Sequence, residues 1–145
     1  MSSMNKLKVE KSQQEIINEI HTLLFNYCEV IDGKYFTCFS KFCKNYTKLN
    51  YDDYNLGSDY INKMIISIKK WREKYDYMMH FLTNIRIIKF GSKYKTISNC
   101  ILKRGYTKFN FLKICREDLI EIVHKFELDN NNSLYITNVT VHKIK

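Results

Sequence analysis

The chain has 145 residues and a formal net charge of +9, from 24 Lys and Arg against 15 Asp and Glu. A domain of that length buries about two-thirds of its unfolded surface without disulfide or metal staples. Hydrophobic residues at 45% and aromatics at 14% exclude a disordered chain, and no apolar run approaches the roughly 18 residues of a membrane span. Met1 to Lys11 lacks the apolar core of a signal peptide, so a cytoplasmic protein is expected. Residues 1–11 read as a flexible segment ahead of one domain over 12–145.

The basic residues are Lys with four exceptions, Arg72, Arg86, Arg104 and Arg116. Nucleic-acid sites enrich Arg for bidentate contacts, whereas these lysines are scattered in sequence and read as a solvated surface. Nucleic-acid binding rests on charge alone and is not expected. Cys28, Cys38, Cys43, Cys100 and Cys115 are odd in number and form no CxxC pair. Reduced, largely buried thiols follow, with neither disulfides nor a zinc site.

Ser12-Gln13-Gln14-Glu15 is a capping box. Behind it Ile16, Ile17, Ile20, Leu23, Leu24, Tyr27, Cys28 and Ile31 recur at helical spacing, closing near Gly33. A second, short helix follows, with Tyr35, Phe36, Phe39, Phe42 and Cys43 on one side. Lys48 to Tyr51 reads as a brief strand entering the turn Asp52 to Gly57. Ser58 caps a third helix, where Ile61, Met64, Ile65, Ile68 and Trp71 share a stripe.

From Met79 the hydrophobic period changes to two. Met79 to Phe90 is a strand ending at the hairpin signal Gly91-Ser92, and Lys93 to Lys103 is its partner. Gly105 to Asn110 reads as a loop and Leu112 to Leu128 as a long strand. Asp129 to Asn132 is a turn before the last strand, Ser133 to Ile144. Three helices before a four-strand antiparallel meander predict an α+β domain, its helices packed on one face of a curved sheet. Such a sheet makes a cone, whose apolar mouth suits a small-molecule ligand.

Which ionisable groups point into that mouth? Asp32 ends the first helix beside Val30 and Ile31, either as a site residue or as the last polar residue before the Gly33 cap. His80 begins the first long strand, either as a satisfied strand histidine or as a catalyst. Together they make a carboxylate–imidazole pair, an arrangement that orients the ring for proton transfer. Arg116 and Asp118 share a strand face with Ile114, Ile120 and Ile122, which reads as an internal salt bridge or as a bulge turned to solvent. Glu117, Leu119, Glu121 and Val123 mark the opposite face. There is no GxGxxG, P-loop, GxSxG or HExxH motif, which removes the common nucleotide-dependent and hydrolytic enzymes.

The order of these segments resembles the SnoaL-like branch of the nuclear transport factor 2-like superfamily. The carriers are Ile16-Ile17-Asn18-Glu19-Ile20 through Tyr27 to Asp32-Gly33, the aromatic run Tyr35 to Phe42, and Gly57 before the third helix. Met79-His80-Phe81-Leu82-Thr83-Asn84 and Cys115-Arg116-Glu117-Asp118 complete the pattern, which spans residues 12 to 144. The resemblance implies a cone-shaped fold and chemistry that needs neither cofactor nor metal, of the cyclase, isomerase or dehydratase type. Asp32 and His80 match the family's aspartate and histidine, and Tyr51 matches one of its pocket tyrosines. The second histidine of scytalone dehydratase has no counterpart; Glu117 or a neighbour takes that place, and His124 lies too far along.

On this reading Asp32 and His80 move a proton next to a carbonyl on a small, mostly apolar compound, while Tyr27 or Tyr51 donates to the enolate oxygen. Asn84, Arg116 and Asp118 join Tyr27 and Tyr51 as substrate-binding candidates. The alternative is a non-catalytic ligand- or protein-binding module of the same fold. Relatives pair through the outer face of the sheet, so a homodimer through the Leu119/Val123 face is expected.

Overall fold

The computed structural model describes residues 11–144. Apart from Lys11, which pairs with Glu19, the segment expected to be flexible lies outside the described residues. Helix α1 (Gln13–Asp32) starts where the Ser12 hydroxyl accepts the Glu15 backbone N–H at 3.2 Å, which satisfies one of the unpaired donors of the first turn. Its buried face repeats at Ile16, Ile20, Leu24, Tyr27, Cys28 and Ile31. Burying one such Leu or Ile contributes about 1.5–3 kcal/mol, enough to fix which face turns inward.

The helix closes at Gly33, but not through a left-handed glycine. Gly33 stays right-handed with φ −90°, and the positive φ of 62° falls on Lys34. The absence of a Cβ lets the Tyr35 ring lie over Gly33, where a Cβ would stand 2.1 Å from it and the exposed ring would have to turn away.

The second helical segment is a 3-10 helix, Phe36–Lys41, and Cys43 belongs to strand β1 (Cys43–Asn50) instead. A 3-10 turn, Asp52–Tyr54, leads to β2 (Ser58–Tyr60). Ser58 therefore pairs in a sheet with Asn50, and Tyr60 stands before helix α2 (Ile61–Glu73) without a side-chain cap. β3 (Tyr77–Phe90), β4 (Lys93–Lys108), β5 (Leu112–Leu128) and β6 (Leu134–Lys143) follow. The loop expected over 105–110 is mostly strand, because Gly105, Tyr106 and Thr107 pair with Cys115, Ile114 and Lys113.

The sheet has six strands in the order β2-β1-β6-β5-β4-β3. All neighbours are antiparallel except β1 and β6, which run parallel. A meander of four strands was the expectation from sequence; β1 and β2 extend it because the chain between the helices returns to the free edge of β6. Helix α1 packs on β3 and β6, and α2 on β1 and β2. On β4 the buried residues alternate as Tyr94, Thr96, Ser98, Cys100, Leu102 and Arg104, and on β5 as Ile120, Ile122, His124 and Phe126. This is the face that the helices cover, and it carries the polar groups described next.

Candidate functional site

The end of α1 meets the start of β3 through one carboxylate. Asp32 Oδ1 lies 2.6 Å from His80 Nδ1, and Asp32 Oδ2 accepts the His80 backbone N–H at 2.9 Å. A carboxylate only accepts, so Nδ1 donates to it, and Nε2 is engaged by neither oxygen. The His80 side chain is 3% exposed and that of Asp32 23%. Burial lowers the dielectric around this bond and strengthens it relative to one in water.

Arg72, from α2, fixes the helix end that holds Asp32. Its guanidinium donates to Ile31 O at 3.0 Å, Asp32 O at 2.7 Å and Tyr75 O at 3.1 Å. The carbonyls at a helix C-terminus have no partner of their own and carry negative partial charge, which suits a cation. Burial pulls the Arg72 guanidinium below its ordinary value, and the Asp32 charge opposes that shift. A second arginine continues the chain of bonds. Arg104 donates to the Tyr75 hydroxyl at 3.1 Å and to Asp118 at 2.5 Å, and Asp118 also accepts Tyr54 at 2.7 Å. Asp32 and Asp118 thus belong to one network, joined through Arg72, Tyr75 and Arg104.

Tyr27 on α1 and Tyr51 after β1 meet hydroxyl to hydroxyl in the core. Burial first, and then the partner phenol, push Tyr27 well above its ordinary value; burial likewise raises Tyr51, while its bond to Tyr27 acts the other way. Both phenols are protonated at neutral pH. Only one can donate to the other, so the acceptor of the pair keeps an O–H for a ligand.

His124 lies under Tyr27, ring edge to face at 4.9 Å, and stacks on Phe126 at 6.0 Å. Burial lowers it to about 3, with the nearby His80 adding to the effect. Both of its ring nitrogens, with the hydroxyls of Thr96 and Ser98, are buried without a partner among the described residues. Thr96 is directly across from His124 on the neighbouring strand. Each unpaired buried polar group costs about 1–3 kcal/mol.

The sequence-based candidates divide accordingly. Asp32 pairs with His80 and Tyr27 with Tyr51 beneath the helices, and Asp118 pairs with Arg104 and Tyr54. Asn84 joins none of these. It is exposed, with φ 49°, at the bulge of β3 between Thr83 and Arg86. Arg116 is exposed and opposite Arg104, so the internal partner of Asp118 is Arg104. Glu117 is also exposed and pairs with Lys103 at 3.1 Å. Arg72, Arg104 and His124 are the residues that sequence reasoning passed over. The signal for His124 was its place in the inward register Ile120, Ile122, His124, Phe126; the arginines carried none, since their partners are 40 and 41 or 14 residues away.

No protein-family model matches this chain, and no curated protein matches it. Solved structures do match in fold. A protein of the NTF2-like family from Streptomyces avermitilis has a TM-score of 0.74 at 10% identity, covering 89% of this chain and 97% of that one. Hexachlorocyclohexane dehydrochlorinase LinA-type3 from Novosphingobium barchaimii LL02 has a TM-score of 0.78 at 9% identity, over 92% and 89% of the two chains. The Kfla4162 protein from Kribbella flavida has a TM-score of 0.81 at 8% identity, over 92% and 94%. The chain has the nuclear transport factor 2-like fold.

Proposed function

We propose that this protein is a cofactor-independent proton-transfer enzyme of the cyclase, isomerase or dehydratase type, acting on a small, mostly apolar carbonyl compound. The observation that carries this reading is the double engagement of His80 by Asp32. It holds the ring in the tautomer whose Nε2 accepts a proton, and it stabilises the imidazolium that forms. A proton leaves the carbon beside the substrate carbonyl for Nε2, and the C–H electrons pass into the enolate. The spare O–H of the Tyr27–Tyr51 pair donates to the enolate oxygen. Return of the proton to another carbon isomerises the substrate; loss of a neighbouring leaving group completes an elimination. A dehydrochlorinase among the structural neighbours supports the second outcome.

In the same reading the sheet closes into a cone around the substrate, with the orphaned His124, Thr96 and Ser98 groups binding its polar end. The protein is a homodimer. Phe81, Ile101 and Leu119 stand side by side across β3, β4 and β5 on the face away from the helices, exposed by 44%, 39% and 39%. An apolar row of that kind, edged by the Lys103–Glu117 pair, fits an isologous contact.

The test is exchange of α-protons in D₂O, read by proton NMR, over a panel of aryl and cyclic ketones of one and two rings. The wild-type chain should catalyse exchange of at least one, and His80→Ala should slow it about a hundredfold or more. Exchange no faster than in His80→Ala across the panel overturns the proposal.

A further inference from the structure

A row of lysines crosses the other face of the sheet. Lys95 on β4 stands directly opposite Lys125 on β5, and Lys125 opposite Asn138 on β6. Asn138 is beside Lys48 on β1, and Lys48 opposite Tyr60 on β2. Directly opposite residues in an antiparallel pair point to the same side, so Lys95 and Lys125 set two like charges together. That pairing is destabilising by itself. No acidic residue occupies this row.

Lys48, Lys125, Asn138 and Tyr60 also line a cavity of about 520 Å³, with Phe90 and Thr137 among its other walls. That volume falls within the roughly 300–1,000 Å³ of small-molecule sites. Glu127 is the acidic residue of its lining, and Lys93 holds it at 3.4 Å. Lys48 and Lys125 enter no ion pair among the described residues, and the Lys48 ammonium lies 5.1 Å from the Tyr60 ring centroid. The site therefore offers two uncommitted cations, an aromatic wall and the side-chain amide of Asn138.

We propose that this cavity is a second ligand site, separate from the Asp32–His80 pair, for a phosphate ester carried on a planar ring, as in a nucleotide. The phosphate lies over Asn138, between Lys48 and Lys125 on the strands to either side, each lysine acting as a point charge. The ring stacks on Tyr60 or Phe90, and Asn138 offers both a donor and an acceptor to its edge. A second copy of this chain is a poor occupant, because an isologous contact centred on this cavity, unlike one centred on Ile101, would set the lysine row against itself.

Isothermal titration with adenosine 5′-monophosphate, adenosine, inorganic phosphate and an eight-residue oligoadenylate tests the assignment. The monophosphate should saturate the protein, with adenosine and phosphate each binding about tenfold more weakly or worse. Lys48→Gln/Lys125→Gln should weaken the monophosphate by about tenfold or more, without lowering the melting temperature, while His80→Ala binds it as wild type does. If the double variant does not fold, Lys125→Gln alone carries the test, since it relieves the clash with Lys95. Tighter binding of the oligoadenylate that is lost in the same variant assigns a nucleic-acid strand as the source; equal or weaker binding assigns the free nucleotide. Four results overturn the proposal: no saturation by the monophosphate below about 5 mM, phosphate alone binding as tightly, undiminished binding in the lysine variants, or loss of binding in His80→Ala.

Discussion

The Asp32 carboxylate holds His80 at two points, its ring Nδ1 at 2.6 Å and its backbone N–H at 2.9 Å. One bond sets the tautomer and the other ties the strand to the helix end, so ring and backbone are positioned by one group. Asp32→Asn keeps the shape of the side chain but offers an amide in place of one oxygen. In its neutral form the wild-type imidazole should carry its proton on Nδ1, as read from long-range ¹⁵N–¹H spectra. In Asp32→Asn the two tautomers should mix. An unchanged tautomer in the variant would mean that the carboxylate does not set the ring.

Arg72 is the second support of that geometry. It is 4% exposed and spends its donors on three carbonyls, two of them at the C-terminus of α1. Arg72→Met fills similar space but takes the guanidinium from Asp32 O and Tyr75 O, while Ile31 O keeps the Lys34 N–H, at a cost of about 2–4 kcal/mol in urea unfolding. Arg72→Lys keeps the charge but cannot span three acceptors in a plane, and should recover only part of the loss. Full recovery by lysine would show that charge at the helix end, and not the fork of bonds, is what matters.

The outer row Phe81, Ile101 and Leu119 gives a prediction on assembly. Leu119→Lys places a charge in the middle of the proposed contact while leaving the buried face untouched. Light scattering should give twice the 17.5 kDa of the chain for the wild type, and the monomer mass for the variant. A wild-type monomer at high concentration would remove the homodimer from the functional reading.

Much of this was legible in the chain. The apolar stripe of α1 and the change of period near residue 79 gave the α+β class. Asp32 and His80 stood out because one ends a helix and the other opens a strand. What stayed hidden was non-local. β1 pairs in parallel with β6, some ninety residues away, and no local pattern announces a parallel neighbour. Ser58 looked like a cap, yet its backbone is claimed by the β1 edge, and tertiary pairing overrode the local preference. Arg104 displaced Arg116 as the partner of Asp118 because Arg104, on the diagonal position of the neighbouring strand, is turned inward and buried, while Arg116 is exposed.

His124 yields the prediction on pH. Burial, aided by the nearby His80, depresses it to about 3 from an ordinary value of 6.5. Above 6.5 the ring is neutral in the folded and the unfolded chain alike, and it costs the fold no stability through protonation. As the pH falls below 6.5 the unfolded chain takes up a proton that the folded chain refuses, so stability declines toward pH 3 and levels off beneath it. The ring is fully buried, so the loss is on the order of several kcal/mol. His124→Phe keeps an aromatic ring against Tyr27 and Phe126 and has nothing to titrate. The unfolding free energy of the wild type, measured relative to this variant, should fall steadily between pH 6.5 and 3. A constant difference across that window would mean that the ring takes its proton in the fold, which would require a partner that Tyr27 and Phe126 do not supply.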